Sequence, residues 1–226
     1  NGIIIITMSI WGKIFGGTGG FVVGGPLGGL LGIFAGHAID KYNRNKLPES
    51  IAIKQVNFTI GVIALSAKMA KADGVVSRQE LDAFKKGLII NQNELKNVEK
   101  VWNFAKQSVH GFESYAKQLA KLFRPSSSIL ENLIHLLFSI AKSDGRITIK
   151  ETEFLKKVSD IFGFDEKKFN LFKEIYSNDE NNPYTVLQSN IDDPIEQINK
   201  KRISLLKKYH PDVLIAKGQP LEFVEK

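Results

Sequence analysis

From residue 14 to residue 39 the chain carries no Lys, Arg, Asp or Glu, a run of 26 residues in which His37 is the only titratable side chain. About 20 predominantly apolar residues suffice to cross the hydrocarbon core of a bilayer, and a longer run crosses it with some tilt. Trp11 and Tyr42 stand at the two ends, where interfacial aromatics are expected. Between these two aromatics Gly12, Gly16, Gly20, Gly24, Gly28, Gly32 and Gly36 fall on every fourth residue. In water each helical glycine costs about 1 kcal/mol against alanine. In lipid the backbone must satisfy itself, so the helix forms and the glycines become a groove that a second helix can approach closely. The stretch is therefore read as a glycine-rich transmembrane helix that self-associates through Gly16, Gly20, Gly24, Gly28, Gly32 and Gly36. A flexible linker does not account for the Phe21-Val22-Val23 and Ile33-Phe34 steps between the glycines.

Orientation follows from the flanking cations. Lys13 stands alone before the span, against Lys41, Arg44 and Lys46 after it, which places the C-terminal bulk in the cytoplasm. A cleaved signal peptide is disfavoured by the missing basic leader and cleavage site. Asn1 is not a start residue, so Met8 is expected to be the initiator. The first 48 residues are taken as the anchor with its basic juxtamembrane segment.

Residues 49–177 form the second unit, and they read as helix throughout, with few prolines and no alternating strand pattern. Phe58, Val62, Leu65, Ala67, Met69 and Ala70 begin an apolar helix. Further helices are predicted over 77–90, 93–108, 112–123, 128–143, 148–162 and 165–176. A phrase is duplicated inside this unit: Ala70-Lys71-Ala72-Asp73-Gly74, with Ser77 and Glu80, recurs as Ala141-Lys142-Ser143-Asp144-Gly145, with Thr148 and Glu151. The offset is 144 − 73 = 71 residues, which predicts two related helical hairpins. Each glycine suits the left-handed end of one helix. Each Ser/Thr–Glu pair suits the capping box of the next. Calcium in EF-hand register is excluded, because positions one and three would be Met69 and Lys71, or Ile140 and Lys142. The repeat resembles a TerB-like helical domain. That resemblance implies acidic metal or ligand contacts near these turns, so Asp73, Glu80, Asp144 and Glu151 are candidates for a divalent cation.

A polar, helix-breaking linker follows at 178–182 and is expected to let the last unit, 183–226, swing. This unit opens with Pro183-Tyr184-Thr185-Val186-Leu187. Asp193, Pro194 and Glu196 then suit an N-cap, a first helical position and a capping box. Ile195, Ile198, Leu205, Leu206 and Tyr209 predict one buried stripe, while Lys200, Lys201, Arg202, Lys207 and Lys208 crowd the remaining surface. His210-Pro211 ends the helix and leaves His210 and Asp212 on a loop at its tip.

This order of segments resembles a J-domain, the module by which DnaJ-type co-chaperones engage the ATPase DnaK. With Ser9-Ile10-Trp11-Gly12-Lys13-Ile14, the glycine-rich span and Gly36-His37-Ala38-Ile39-Asp40-Lys41, the whole chain is similar to the DjlA-like, membrane-anchored branch of that family. The resemblance implies that His210, Pro211 and Asp212 stimulate ATP hydrolysis on DnaK and that Lys200, Lys201, Arg202, Lys207 and Lys208 dock against its acidic surface. It also implies a single-pass protein of the bacterial inner membrane, with a periplasmic N-terminus. Gln188 stands where the family often has glycine, and Lys201 and Arg202 replace a small residue and an aromatic. A third helix, antiparallel to the second, is expected to follow the motif and has only begun at Leu221-Glu222-Phe223-Val224, so the J-domain is read as incomplete.

No metalloprotease, nucleophile-elbow or nucleotide-loop motif occurs, so the chain is read as a non-enzyme without a resident cofactor. The absence of cysteine removes disulfide and thiolate chemistry and suits a reducing compartment. The net charge of +7 is spread over several helix faces, and no nucleic-acid partner is expected. The fold class is all-α: a membrane helix, a TerB-like bundle and a J-domain hairpin. The competing reading is a membrane-tethered, TerB-like stress or metal-binding protein with a degenerate J-like tail.

Overall fold

The computed structural model describes residues 25–35, 49–72, 82, 84–85, 92–107, 111–124, 127–177 and 183–223. Helices α1 (Gly25–Ala35), α2 (Glu49–Ala70), α3 (Gln92–Ala105), α4 (Phe112–Phe123), α5 (Ser127–Ala141), α6 (Ile149–Phe162) and α7 (Glu166–Ser177) precede the last segment. That segment holds α8 (Pro183–Val186), α9 (Ile195–Lys208), α10 (Pro211–Ala216) and a closing 3₁₀ turn, Leu221–Phe223. No strand occurs among the described residues, as the all-α expectation requires.

The bundle is built around α2, which packs on α1, α3, α4, α5 and α6. Every residue from 55 to 70 is buried, so this helix is enclosed on all sides rather than along one stripe. Two of its polar side chains bond within the helix itself. Asn57 Nδ2 donates to the Ile53 carbonyl at 2.9 Å and Thr59 Oγ1 to the Gln55 carbonyl at 3.0 Å. Gln118 of α4 donates to Asn57 Oδ1 at 3.2 Å and accepts from the Leu27 amide of α1 at 3.0 Å, tying three helices with one side chain.

Glycine has a steric role at Gly61 of α2. A Cβ there would stand 2.6 Å from Leu119 Cδ1, so its absence sets how closely α4 approaches. On α4 itself Phe112, Ala116, Leu119, Ala120 and Phe123 are buried, one stripe at helical spacing. Phe154, Leu155, Val158 and Phe162 of α6 and Phe169 and Phe172 of α7 complete that side of the core.

The second copy of the duplicated phrase folds as its chemistry dictates. A single 3₁₀ turn, Lys142–Asp144, follows α5, and Gly145 takes φ 105° to end it. Thr148 is the N-cap of α6 and shares a complete capping box with Glu151. Of the first copy only Ala70, Lys71 and Ala72 are described; Asp73, Gly74, Ser77 and Glu80 lie outside the described residues. So does most of the helix expected over 77–90, of which Phe84 is described and packs 4.6 Å from the ring of Trp102.

The span expected over 14–39 is described only as α1. Gly25, the first residue of α1, has φ 80°, in the left-handed region. Leu27 and Leu30 are buried in the bundle core, and α1 packs on α2 and α4. Among the described residues no helix is long and apolar enough to cross a membrane. Gly28 and Gly32 lie on α1, whereas Gly16, Gly20, Gly24 and Gly36 fall outside the described residues.

Valine at Gly61 would have to displace Leu119, and overpacking of this kind costs about 1–3 kcal/mol. The Gly61→Val protein should show that loss as a lower urea midpoint at unchanged m-value, and an unshifted midpoint would contradict the α2–α4 contact.

Candidate functional site at the His-Pro-Asp corner

Helix α9 carries the cations, but its cap differs from expectation. Pro194 occupies the N-cap position without a side-chain cap. Asp193 is spent elsewhere: Oδ2 accepts from the Asn190 amide at 3.1 Å and from Lys201 Nζ at 2.9 Å. These bonds, led by the one from Lys201, hold its carboxyl below the usual range. Gln188, at the position where glycine is frequent, adopts φ 55° and takes the left-handed turn without glycine's advantage.

The stripe expected to be buried is largely open. No residue of α9 is buried, and Ile195 and Leu206 are 69% and 58% exposed. Among the described residues these two side chains stay largely open to solvent. Beyond His210 the described chain folds as the short α10, followed by the 3₁₀ turn at Leu221–Phe223.

His210 stands in the break between α9 and α10, whereas Asp212 lies in the first turn of α10. His210 is the N-cap of α10, with Pro211 in the first turn, and its Nδ1 accepts from the Asp212 amide at 3.3 Å. The Asp212 carboxylate lies 3.7 Å from the same nitrogen. Both side chains project to solvent, His210 57% and Asp212 88% exposed. An imidazole and a carboxylate are thus presented together at the end of a basic helix, as the motif reading expected.

The corner makes contacts with the bundle. Glu131 of α5 is only 4% exposed, and Lys208 Nζ donates to its two oxygens at 2.8 and 2.9 Å. The Tyr209 hydroxyl donates to the same carboxylate, and Lys168 Nζ lies 3.2 Å away. Burial alone would raise the carboxyl pKa. Hydrogen bonds from Lys208 and Tyr209, with the charge of Lys168, outweigh it and keep Glu131 below the ordinary value. Burial, together with the bond to Glu131, pushes the Tyr209 phenol upward.

Beyond the motif the docking continues. Leu214 is buried, and Lys217 Nζ donates to Ser128 Oγ at 3.3 Å. Asn132 donates to Gln219 Oε1 at 3.3 Å. Phe223 sets its ring edge-on to Phe58 of α2, 5.1 Å between centroids. Gly218, at φ 103°, passes so close to Lys54 that a Cβ would meet its stem at 2.7 Å.

The five cations proposed as a partner surface are therefore sorted by the fold. Lys200, Arg202 and Lys207 are exposed, whereas Lys201 and Lys208 are engaged within the chain. Glu151 is buried in its capping box, and the side chains of Asp73, Glu80 and Asp144 lie outside the description. Among the described residues no group of three or more His, Asp or Glu is placed to hold a metal. An open cleft of about 620 Å³ is lined by Arg124, Glu131, Asp165 and Lys168, but both its carboxylates are already engaged. Glu131 binds the tail, and Asp165 Oδ1 accepts from the Lys168 amide at 2.8 Å.

Glu131 is the residue that sequence reasoning missed. Glu131 is the one charged residue of α5, a signal that a lone acid in an apolar helix has a distant partner. His135 lies one turn on, with Nδ1 3.3 Å from the Tyr176 hydroxyl and its ring edge-on to Phe172. Burial lowers its pKa from 6.5 to about 4, with Glu131 opposing the shift and Lys168 and Lys208 adding to it. The folded chain then holds fewer protons than the unfolded chain between these values. Stability is full above pH 6.5 and falls by up to about 3 kcal/mol as pH drops to 4. Urea melts from pH 7 to 4.5 should show this slope and lose most of it in His135→Phe, where an unchanged slope would contradict the assignment.

Residues 59–174, from α2 into α7, match the family model of the tellurite resistance protein TerB. Residues 8–65 match that of the co-chaperone DjlA transmembrane domain. Proteins named Co-chaperone protein DjlA are similar over nearly the whole chain. That of Photobacterium profundum is 24% identical across 96% of this chain and 92% of its own length. That of Coxiella burnetii is 24% identical across 95% and 90%. That of Legionella pneumophila is 23% identical across 95% and 88%. No solved structure matches.

Proposed function

Because this chain belongs to the TerB family and is DjlA-like along its length, we propose that it is a membrane-anchored co-chaperone whose J-like corner stimulates the ATPase of a DnaK-type partner. The observation that carries this reading is the joint exposure of His210 and Asp212 at the end of α9, whose open face also carries Lys200, Arg202 and Lys207. In the encounter the exposed cations steer the helix toward an acidic surface. The imidazole and carboxylate then meet the partner's nucleotide-coupled machinery. The chain itself performs no chemistry in this scheme.

The anchor sits in the bacterial inner membrane, with its N-terminus outside and the bundle in the cytoplasm, as the bias of Lys41, Arg44 and Lys46 over Lys13 favours. The four-residue glycine repeat supports self-association within the bilayer, an arrangement in which α1 leaves its place against α2 and α4. Single-turnover ATP hydrolysis by DnaK, with and without the protein, tests the reading. The wild type should accelerate hydrolysis, and His210→Gln should return it to the unstimulated rate. A wild-type protein that leaves DnaK turnover unchanged would favour a TerB-like protein with a degenerate tail.

A further inference from the structure

The His-Pro-Asp corner is flanked on both sides by contacts with one face of α5. Before it, Lys208 and Tyr209 hold Glu131; after it, Lys217 holds Ser128 and Gln219 holds Asn132. Two of the three groups that compensate the buried carboxylate thus come from the tail, the third being Lys168. Lifting the tail would leave Glu131 facing Lys168 alone, and a buried charge that loses its partners is strongly disfavoured. Docking is therefore the resting arrangement.

We propose that this face of α5 is an internal docking surface for the His-Pro-Asp segment, and that Glu131 acts there as a decoy that withholds Lys208 from an acidic partner surface. The proposal rests on the co-chaperone reading and adds its regulation. Lys200, Arg202 and Lys207 stay exposed on α9, so a partner lands on them first. Full engagement then requires Lys208 to exchange one carboxylate for another. The apparent affinity is reduced by the fraction of molecules that remain docked.

Two readouts on the full chain test this together: acetylation of Lys208 relative to Lys207 by a small acylating reagent, and the Kd for DnaK. In the wild type Lys208 should react several-fold more slowly than Lys207. In Glu131→Gln the two rates should converge and DnaK should bind roughly three- to tenfold more tightly. Tyr209→Phe leaves α5 unaltered and should move both readouts the same way by less, which keeps the test valid if Glu131→Gln fails to fold. Equal reactivity of Lys207 and Lys208 in the wild type would overturn the docking. A faster Lys208 in the variants with unchanged DnaK affinity would overturn the decoy role. Loss of DnaK binding in every form would overturn the co-chaperone reading and this proposal with it, and the Lys208 rates tell that outcome from failure of the latch alone.

Discussion

A single buried carboxylate decides how this chain is put together. Glu131 stands on an otherwise uncharged helix, beneath the surface of the bundle, where an unpaired charge would be untenable. Its companions come from two distant parts of the chain, Lys168 on α7 and Lys208 with Tyr209 at the end of α9. The electrostatic need of one side chain thus converts a tail into a docked part of the bundle. The same need fixes where His210 and Asp212 emerge, because the contact is made immediately before the motif.

The apolar scaffold does the rest. With α2 enclosed on every side, the surrounding helices have one axis to pack against, and Gly61 sets how near α4 can come. Gln118 then extends the bundle to α1 through a pair of hydrogen bonds. A segment with the composition of a membrane helix thereby places Leu27 and Leu30 in a protein core. Leucine gains from leaving water in either setting, so burial against protein and burial in lipid draw on the same side chains.

What the sequence made legible was local. The boundaries of α4 through α7 follow from apolar spacing and from punctuation such as Gly145, Thr148 and Glu151, whose partners lie within a few residues. The exposure of His210 and Asp212 was likewise readable, since the residue ahead of a proline leaves the helix. The pairing of Glu131 with Lys208 was not, because 77 residues separate them and no periodicity reports on distant charges. The same blindness assigned Asp193 to a helix cap, when Lys201 eight residues on claims its carboxylate. The apolar stripe of α9 was readable, and so was its need for a covering helix: Ile195 and Leu206 stay open to solvent. Apolar spacing shows which face seeks burial and leaves open what reaches it.

A double-mutant cycle between Glu131 and Lys208, built from Glu131→Gln, Lys208→Gln and the pair, measures this contact with the rest of the fold as its control. Residues in one ion-pair network couple by about 0.5–3 kcal/mol, whereas distant, independent sites add to within about 0.5 kcal/mol. A coupling of at least about 1 kcal/mol in denaturant melts near neutral pH is the predicted result. Additive losses would mean that the tail and the bundle do not share this carboxylate, and the account would fail at its root.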